Sequence, residues 1–175
     1  MDKVDNFFEE LITLQAGKSL PPVSQWHPVN EGVIDICIDR EGRWYHDGRL
    51  IKRPAIAKVF SGILRREHDD YFLVTPVEKL KIRVDDVPFI GTRAETRGEG
   101  SALEVIVSTN MEDHVVLCDD HPLEMRGDIP YVQVRDALFA RLSRSCYYGL
   151  VEQGVEEEGA WCLYSGGARF VLGHI

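Results

Sequence analysis

The sequence predicts an α+β protein made of two similar small units in tandem, each an antiparallel meander, one helix and a closing hairpin. Three observations carry that prediction. Short apolar runs with period-two alternation recur along the chain, separated by Asp- and Gly-containing turns. The segments "WYHDGRLIKRPAI" (44–56) and "VVLCDDHPLEMRGDIPYV" (115–132) follow one plan: strand, Asp turn, strand, basic residue, then proline. In each half that proline opens a run with helix-like apolar spacing.

The elements follow in order. Val4, Phe7, Phe8, Leu11 and Ile12 line one face of an expected N-terminal helix, which Gly17 would stop. "SLPPVSQWHPVNEG" has too many prolines for a helix and reads as an extended connector anchored by Trp26, so residues 1–25 are helix plus connector. The first unit is expected over 26–90. In "GVIDICID", Ile34, Ile36 and Ile38 share one strand face, and Asp35, Cys37 and Asp39 share the other. Gly42 suits a positive φ in the next turn. Asp47–Gly48 is a two-residue hairpin signal. Pro54 opens a helix over 54–67 with Ile56, Val59, Phe60, Ile63 and Leu64 as its apolar stripe. "YFLV" and "KLKIRV" close the unit, with Lys79, Lys81 and Arg83 on an open face.

"GTRAETRGEGS" (91–101) is Gly-rich, polar and aperiodic, and reads as the linker. The second unit spans 102–175. "ALEVIVST", "HVVLC" and "PLEM" repeat the meander. Pro130 opens a second helical stretch with Val134, Leu138 and Leu142 at four-residue spacing. "AWCLYS" and "ARFVLG" form the closing hairpin around Gly166–Gly167.

Composition narrows the function. The net charge of −9 would repel a polyanion, so duplex nucleic acid is excluded as a partner. Acidic residues predominate over 1–39 and 98–175, whereas basic residues predominate over 40–97. A basic zone facing an acidic half fits packing between the units or a pocket for a small anion. No apolar run reaches the length of a membrane span, and the acidic N-terminus lacks a cleavage-site pattern, so the expectation is a cytoplasmic protein. The four cysteines form no C-x-x-C pair and read as reduced small hydrophobes.

Candidate binding residues cluster on loops. "TPVEK" offers the Thr75 hydroxyl, the Glu78 carboxylate and the Lys79 ammonium between two strands. Arg49, Lys52, Arg53 and Arg65 could join Lys79 around an anion, against the plainer reading of a solvated basic surface. "MEDHVVLCDDHP" gathers His114, Cys118 and His121 without a zinc-ligand spacing, so no metal and no cofactor are expected. G-x-S-x-G, H-E-x-x-H and phosphate-loop patterns are missing.

"GRWYHDGRLIKRPAIAKVFSGILRRE", "YFLVTPVEKLKIRVDDVPF", "STNMEDHVVLCDDHPL" and "LYSGGARF" together resemble the bacterial family called domain of unknown function 1285, over about residues 26–172. Asp70 and Glu124 depart from the family pattern, where Gly and Arg are usual; the second change removes a cation from the acidic half. The resemblance implies a duplicated α+β fold whose second unit is loosely pleckstrin-homology-like. It also implies a surface between the units for a nucleotide-like ligand, and a signalling role. It brings no catalytic residues.

The reading is therefore a non-catalytic ligand-binding or regulatory module. Its site is expected in a cleft between the units, drawn from Arg53, Thr75, Glu78, Lys79, Asn110 and His121. The alternatives are a small hydrolase or transferase using Glu78 or His121 as general base, and a structural protein that forms a homodimer.

Overall fold

The computed structural model describes residues 19–175, so the expected N-terminal helix lies outside the described residues. The chain divides into two compact units between Asp86 and Val87.

The first unit begins with a short 3-10 turn, Val23–Gln25, inside the connector. Its strands are β1 (Asn30–Ile38), β2 (Trp44–His46), β3 (Arg49–Leu50), β4 (Leu64–Glu67), β5 (Asp70–Val74) and β6 (Glu78–Val84). They form one sheet in the order β3-β2-β1-β6-β5-β4. Two antiparallel meanders are thus joined by one parallel pair, β1 with β6, with Cys37 beside Arg83. The expected meander is right within each half-sheet, but the central pairing is parallel. The hairpin at Asp47–Gly48 has both residues at positive φ, as a tight right-twisted hairpin requires.

Helix α1 (Pro54–Ser61) opens at Pro54 as expected but is shorter than predicted. The chain leaves the helix at Gly62, and Ile63 onward turns into β4, so Arg65 and Arg66 are strand residues. The spacing misled because Ile63 and Leu64 are apolar for a different reason: both are buried at the start of a strand. Phe60 is fully buried and stacks on Trp44 with ring centroids 5.9 Å apart. The core of this unit gathers there, with Ile36, Ile38 and Leu73.

In the second unit, β7 (Phe89–Arg97), β8 (Glu104–Thr109), β9 (His114–Val116), β10 (Leu123–Arg126), β11 (Ile129–Arg135) and β12 (Leu138–Leu142) form a sheet in the order β10-β11-β12-β7-β8-β9. Read from the other edge, this is the strand order of the first unit, again with a parallel central pair, β12 with β7. The expected linker over 91–101 is corrected: most of it is β7, whose polar residues Thr92, Arg93, Glu95, Thr96 and Arg97 are exposed on both faces of the strand. The helix expected after Pro130 is corrected too. Residues 129–142 are two strands turning at Asp136, which has a positive φ. Four-residue spacing is an even number, so Leu138 and Leu142 share a strand face as readily as a helix face.

The helix of this unit comes later, as α2 (Arg144–Glu152). Ser143 caps it by accepting the Cys146 N–H, a standard N-terminal tie. A three-stranded sheet follows, made of β13 (Val155–Glu157), β14 (Ala160–Ser165) and β15 (Ala168–His174). The closing hairpin around Gly166–Gly167 is β14 and β15. It is fixed to the larger sheet by Ser165, whose buried Oγ accepts the Val105 N–H and donates to the Leu117 carbonyl, both at 2.7 Å. Gly166 cannot be replaced cheaply there. Its φ is +56°, and a Cβ would lie 2.8 Å from the Leu117 oxygen.

Candidate functional site

The residues of the "TPVEK" loop are used locally. Thr75 is 1% exposed. Its Oγ1 accepts the Glu78 and Val77 N–H groups and donates to the Glu78 carbonyl, so its hydroxyl shapes the β5–β6 turn. Glu78 contributes its backbone to that same turn. Lys79 has its Nζ 2.9 Å from Glu31 and 3.0 Å from Glu67, and 4.7 Å from the centre of the Phe72 ring. Those two carboxylates hold the Lys79 ammonium above its usual range. Lys81 pairs with Asp70 in the same cross-strand manner. Arg65 donates to the carbonyls of Val23 and Trp26 and so pins the connector. The basic face read from the sequence is therefore laced with carboxylates. Arg53 stands apart, as the residue before α1, and is exposed.

The candidate residues of the second unit are also tied into its frame. Asn110 accepts the Ile90 N–H through Oδ1, at 3.0 Å. The Nδ1 of His121 donates to the Gln133 carbonyl at 3.1 Å; a carbonyl can only accept, so this nitrogen carries the proton. Asp113 pairs with Arg135 at 2.9 Å, and that guanidinium lies over the Phe89 ring. His114 meets Ser108. Among the described residues, no group of three or more His, Cys, Asp or Glu side chains is placed to hold a metal.

The structure instead opens a polar depression of about 480 Å³ on the outer face of the first sheet. Asp35, Cys37 and Asp39 come from β1 and the turn after it, Tyr45 from β2, and Arg83 and Asp85 from the end of β6. Strand parity assembles it: Ile36 and Ile38 point to the core, so their neighbours point outward. Cys37 is 6% exposed, with Sγ 3.8 Å from Asp85 Oδ1. Burial pushes its thiol above the usual range, and the adjacent Asp85 adds to this against the pull of Arg83. The thiol is thus held protonated and is a poor nucleophile. Arg83 Nε lies 3.5 Å from Asp85. Burial tends to raise the Asp39 carboxyl, but the Arg43 backbone N–H, the Arg43 guanidinium and the Tyr45 hydroxyl outweigh it and hold the carboxyl low. The depression offers carboxylates, one guanidinium, a thiol and a phenol, an array that can bind and orient a small polar molecule.

Sequence reading had the Asp35–Cys37–Asp39 face but not its partners. The missing link was the parallel β1–β6 pairing, which places Arg83 beside Cys37. The one available signal was "DDVPF", whose first Asp is Asp85.

Comparisons with known proteins fit this architecture. Residues 21–87 match the family model "Domain of unknown function (DUF1285), N-terminal domain". Residues 88–172 match "Protein of unknown function (DUF1285), C-terminal domain". The crystal structure of a DUF1285 family protein from Silicibacter pomeroyi DSS-3 is 38% identical, with a TM-score of 0.86 over 94% of this chain and 95% of that one. One from Shewanella baltica OS155 is 30% identical, with a TM-score of 0.57 over 69% of this chain and 92% of that one. No curated protein matches the chain. With two family models meeting end to end across it and solved members superposing on its strands, the chain belongs to the DUF1285 family.

Proposed function

We propose that the protein is a non-catalytic ligand-binding module with a regulatory role, and that its first unit binds a small zwitterion in the Asp35–Arg83–Asp85 depression. One observation carries this reading: a guanidinium and two exposed carboxylates converge on one concavity, on a sheet face that the core does not use. Arg83 would take a carboxylate and the aspartates an ammonium group. A nucleotide-like anion is the weaker ligand for this unit, because Lys79 is paired with Glu31 and Glu67, and Arg83 stands among Asp35, Asp39 and Asp85. Support for the non-catalytic reading is the protonated Cys37 and the commitment of the Thr75 hydroxyl to a turn. The signalling role and the pleckstrin-homology likeness of the second unit belong to the same proposal; a sheet followed by a packed helix, α2, supports the likeness.

A thermal-shift panel of free amino acids, small amines, nucleotides and inorganic phosphate tests it. A ligand bound only by the native state at one hundred times its Kd adds about 2.7 kcal/mol of stability. Amino acids or other zwitterions should raise the midpoint, and Arg83→Ala and Asp85→Asn should each abolish the shift. A panel in which only nucleotides or phosphate respond, indifferent to both variants, overturns the assignment.

A further inference from the structure

The second unit has a slot unrelated to the depression just described. It measures about 620 Å³ and runs between the end of β10 with its turn and the C-terminal half of β15. Met125, Asp128, Tyr147, Val171, Gly173 and His174 line it. Both flanking strands are sheet edges. β10 pairs only with β11, and β15 only with β14, among the described residues. β10 and β15 lie close together, yet no backbone hydrogen bond joins them. An edge strand presents a row of N–H and C=O groups that another extended backbone can satisfy. Here two such edges border one gap, with the Leu172 carbonyl of β15 already taken by the Tyr147 hydroxyl.

The slot is kept open by its residues. Tyr147 reaches across from α2 and donates to the Leu172 carbonyl at 3.0 Å, so its ring forms a wall. Gly173 adds no side chain, and a Cβ there would meet no heavy atom within 4 Å. Met125 and Val171 supply apolar surface, and Val171 is exposed despite lying mid-strand. Asp128 is the one carboxylate lining the slot, which contains no Lys or Arg. Burial, and then the Asp128 carboxylate, push the Tyr147 phenol up, which places that charge close to the ring. The unit as a whole is rich in Asp and Glu.

We infer that this slot receives an extended, basic peptide segment of a partner protein, added as a strand along β15. Strands pair at about 4.8 Å, so the added backbone would sit beside β15 with alternate side chains entering the slot and facing solvent. Backbone pairing supplies affinity. Asp128 and the acidic surroundings select Lys or Arg in the segment.

The test is selection of a phage-displayed library of random linear peptides on the full chain, with Gly173→Trp as the matched control. Gly173 has no positive φ and a Cβ there meets no heavy atom within 4 Å, so a bulky side chain at this slot-lining position starts in open space. Enriched peptides should alternate apolar residues with Lys or Arg. They should bind Gly173→Trp weaker by about ten-fold or more, and Asp128→Asn should weaken them as well. Amide shifts on peptide addition should map to Met125 and Val171, which reads the site even if Gly173→Trp does not fold. No enrichment over the control, or peptides indifferent to Gly173→Trp and shifting other amides, overturns the inference. So does a chain whose self-association is what Gly173→Trp abolishes, because the occupant is then a second copy.

Discussion

The two six-stranded sheets have one strand order but different company. In the first, α1 is inserted between the third and fourth strands, and Phe60 seals the core against Trp44. In the second, that position holds the "CDDHP" turn, and the helix follows the sixth strand with a three-stranded sheet behind it. The repeated object is therefore the double meander with its parallel central pair, and the helix is an accessory that each unit places independently. The units even reuse a turn. Asp39 in one and Thr109 in the other accept two backbone N–H groups, at positions two and four residues on. Each turn has one left-handed residue, Gly42 or Glu112.

The sharpest test of independent sealing is Phe60→Ala. Removing a fully buried ring should cost about 3–5 kcal/mol, read by urea unfolding. A loss below about 1 kcal/mol would mean that α1 does not seal the first unit. Ser165→Ala asks the same of the second unit. It strands the Val105 N–H and the Leu117 carbonyl, at about 1–3 kcal/mol for each group left unpaired. Hydrogen exchange should then rise in β8 and β9 while β1 and β6 stay protected.

The shared turn gives a pair of opposite signs. Gly42→Ala should lose about 1–2 kcal/mol through left-handed strain, whereas Glu112→Gly should gain a smaller amount by relieving it. Equal signs in thermal melts would show that the turns are not equivalent. Lys79→Ala should lose about 1 kcal/mol, the sum of a modest ion-pair and ring contact; no change would mean those partners are not held in solution.

The smallest effect is in acid. The Asp39 carboxyl is held low in the fold, so its stabilising contribution is present above the ordinary aspartate value, roughly pH 3.9, and is lost as pH falls through the lower folded value. Asp39→Asn should flatten that part of the stability–pH curve, while Thr109 contributes no such slope. A wild-type curve that runs parallel to the variant's through the aspartate range, roughly pH 2–5, would remove the distinction.

The strands and tight turns were legible because they depend on local chemistry: alternation over Ile34–Ile38, Asp47–Gly48, Gly42, and Pro54 opening α1. The second helix was misplaced because the spacing of Leu138 and Leu142 satisfies both periods, and Val134 continues it by chance from the neighbouring strand. "GTRAETRGEGS" looked like a linker because an exposed strand has the composition of a loop. Family-specific stretches were easy to find and easy to overread. Thr75, Asn110 and Ser165 sit in them, and each spends its polar atoms on the frame. The depression around Cys37 was hidden because it needs a strand pairing that no local pattern encodes.

That parallel central pair has a kinetic consequence. In each six-stranded sheet it joins the first strand to the last, β1 with β6 and β7 with β12. Neither sheet can close until its final strand has been made, and long-range pairing of this kind slows folding relative to local hairpins. During synthesis the three-stranded halves would form early and wait with open edges. The first unit, complete by Asp86, can close while the ribosome is still building the second.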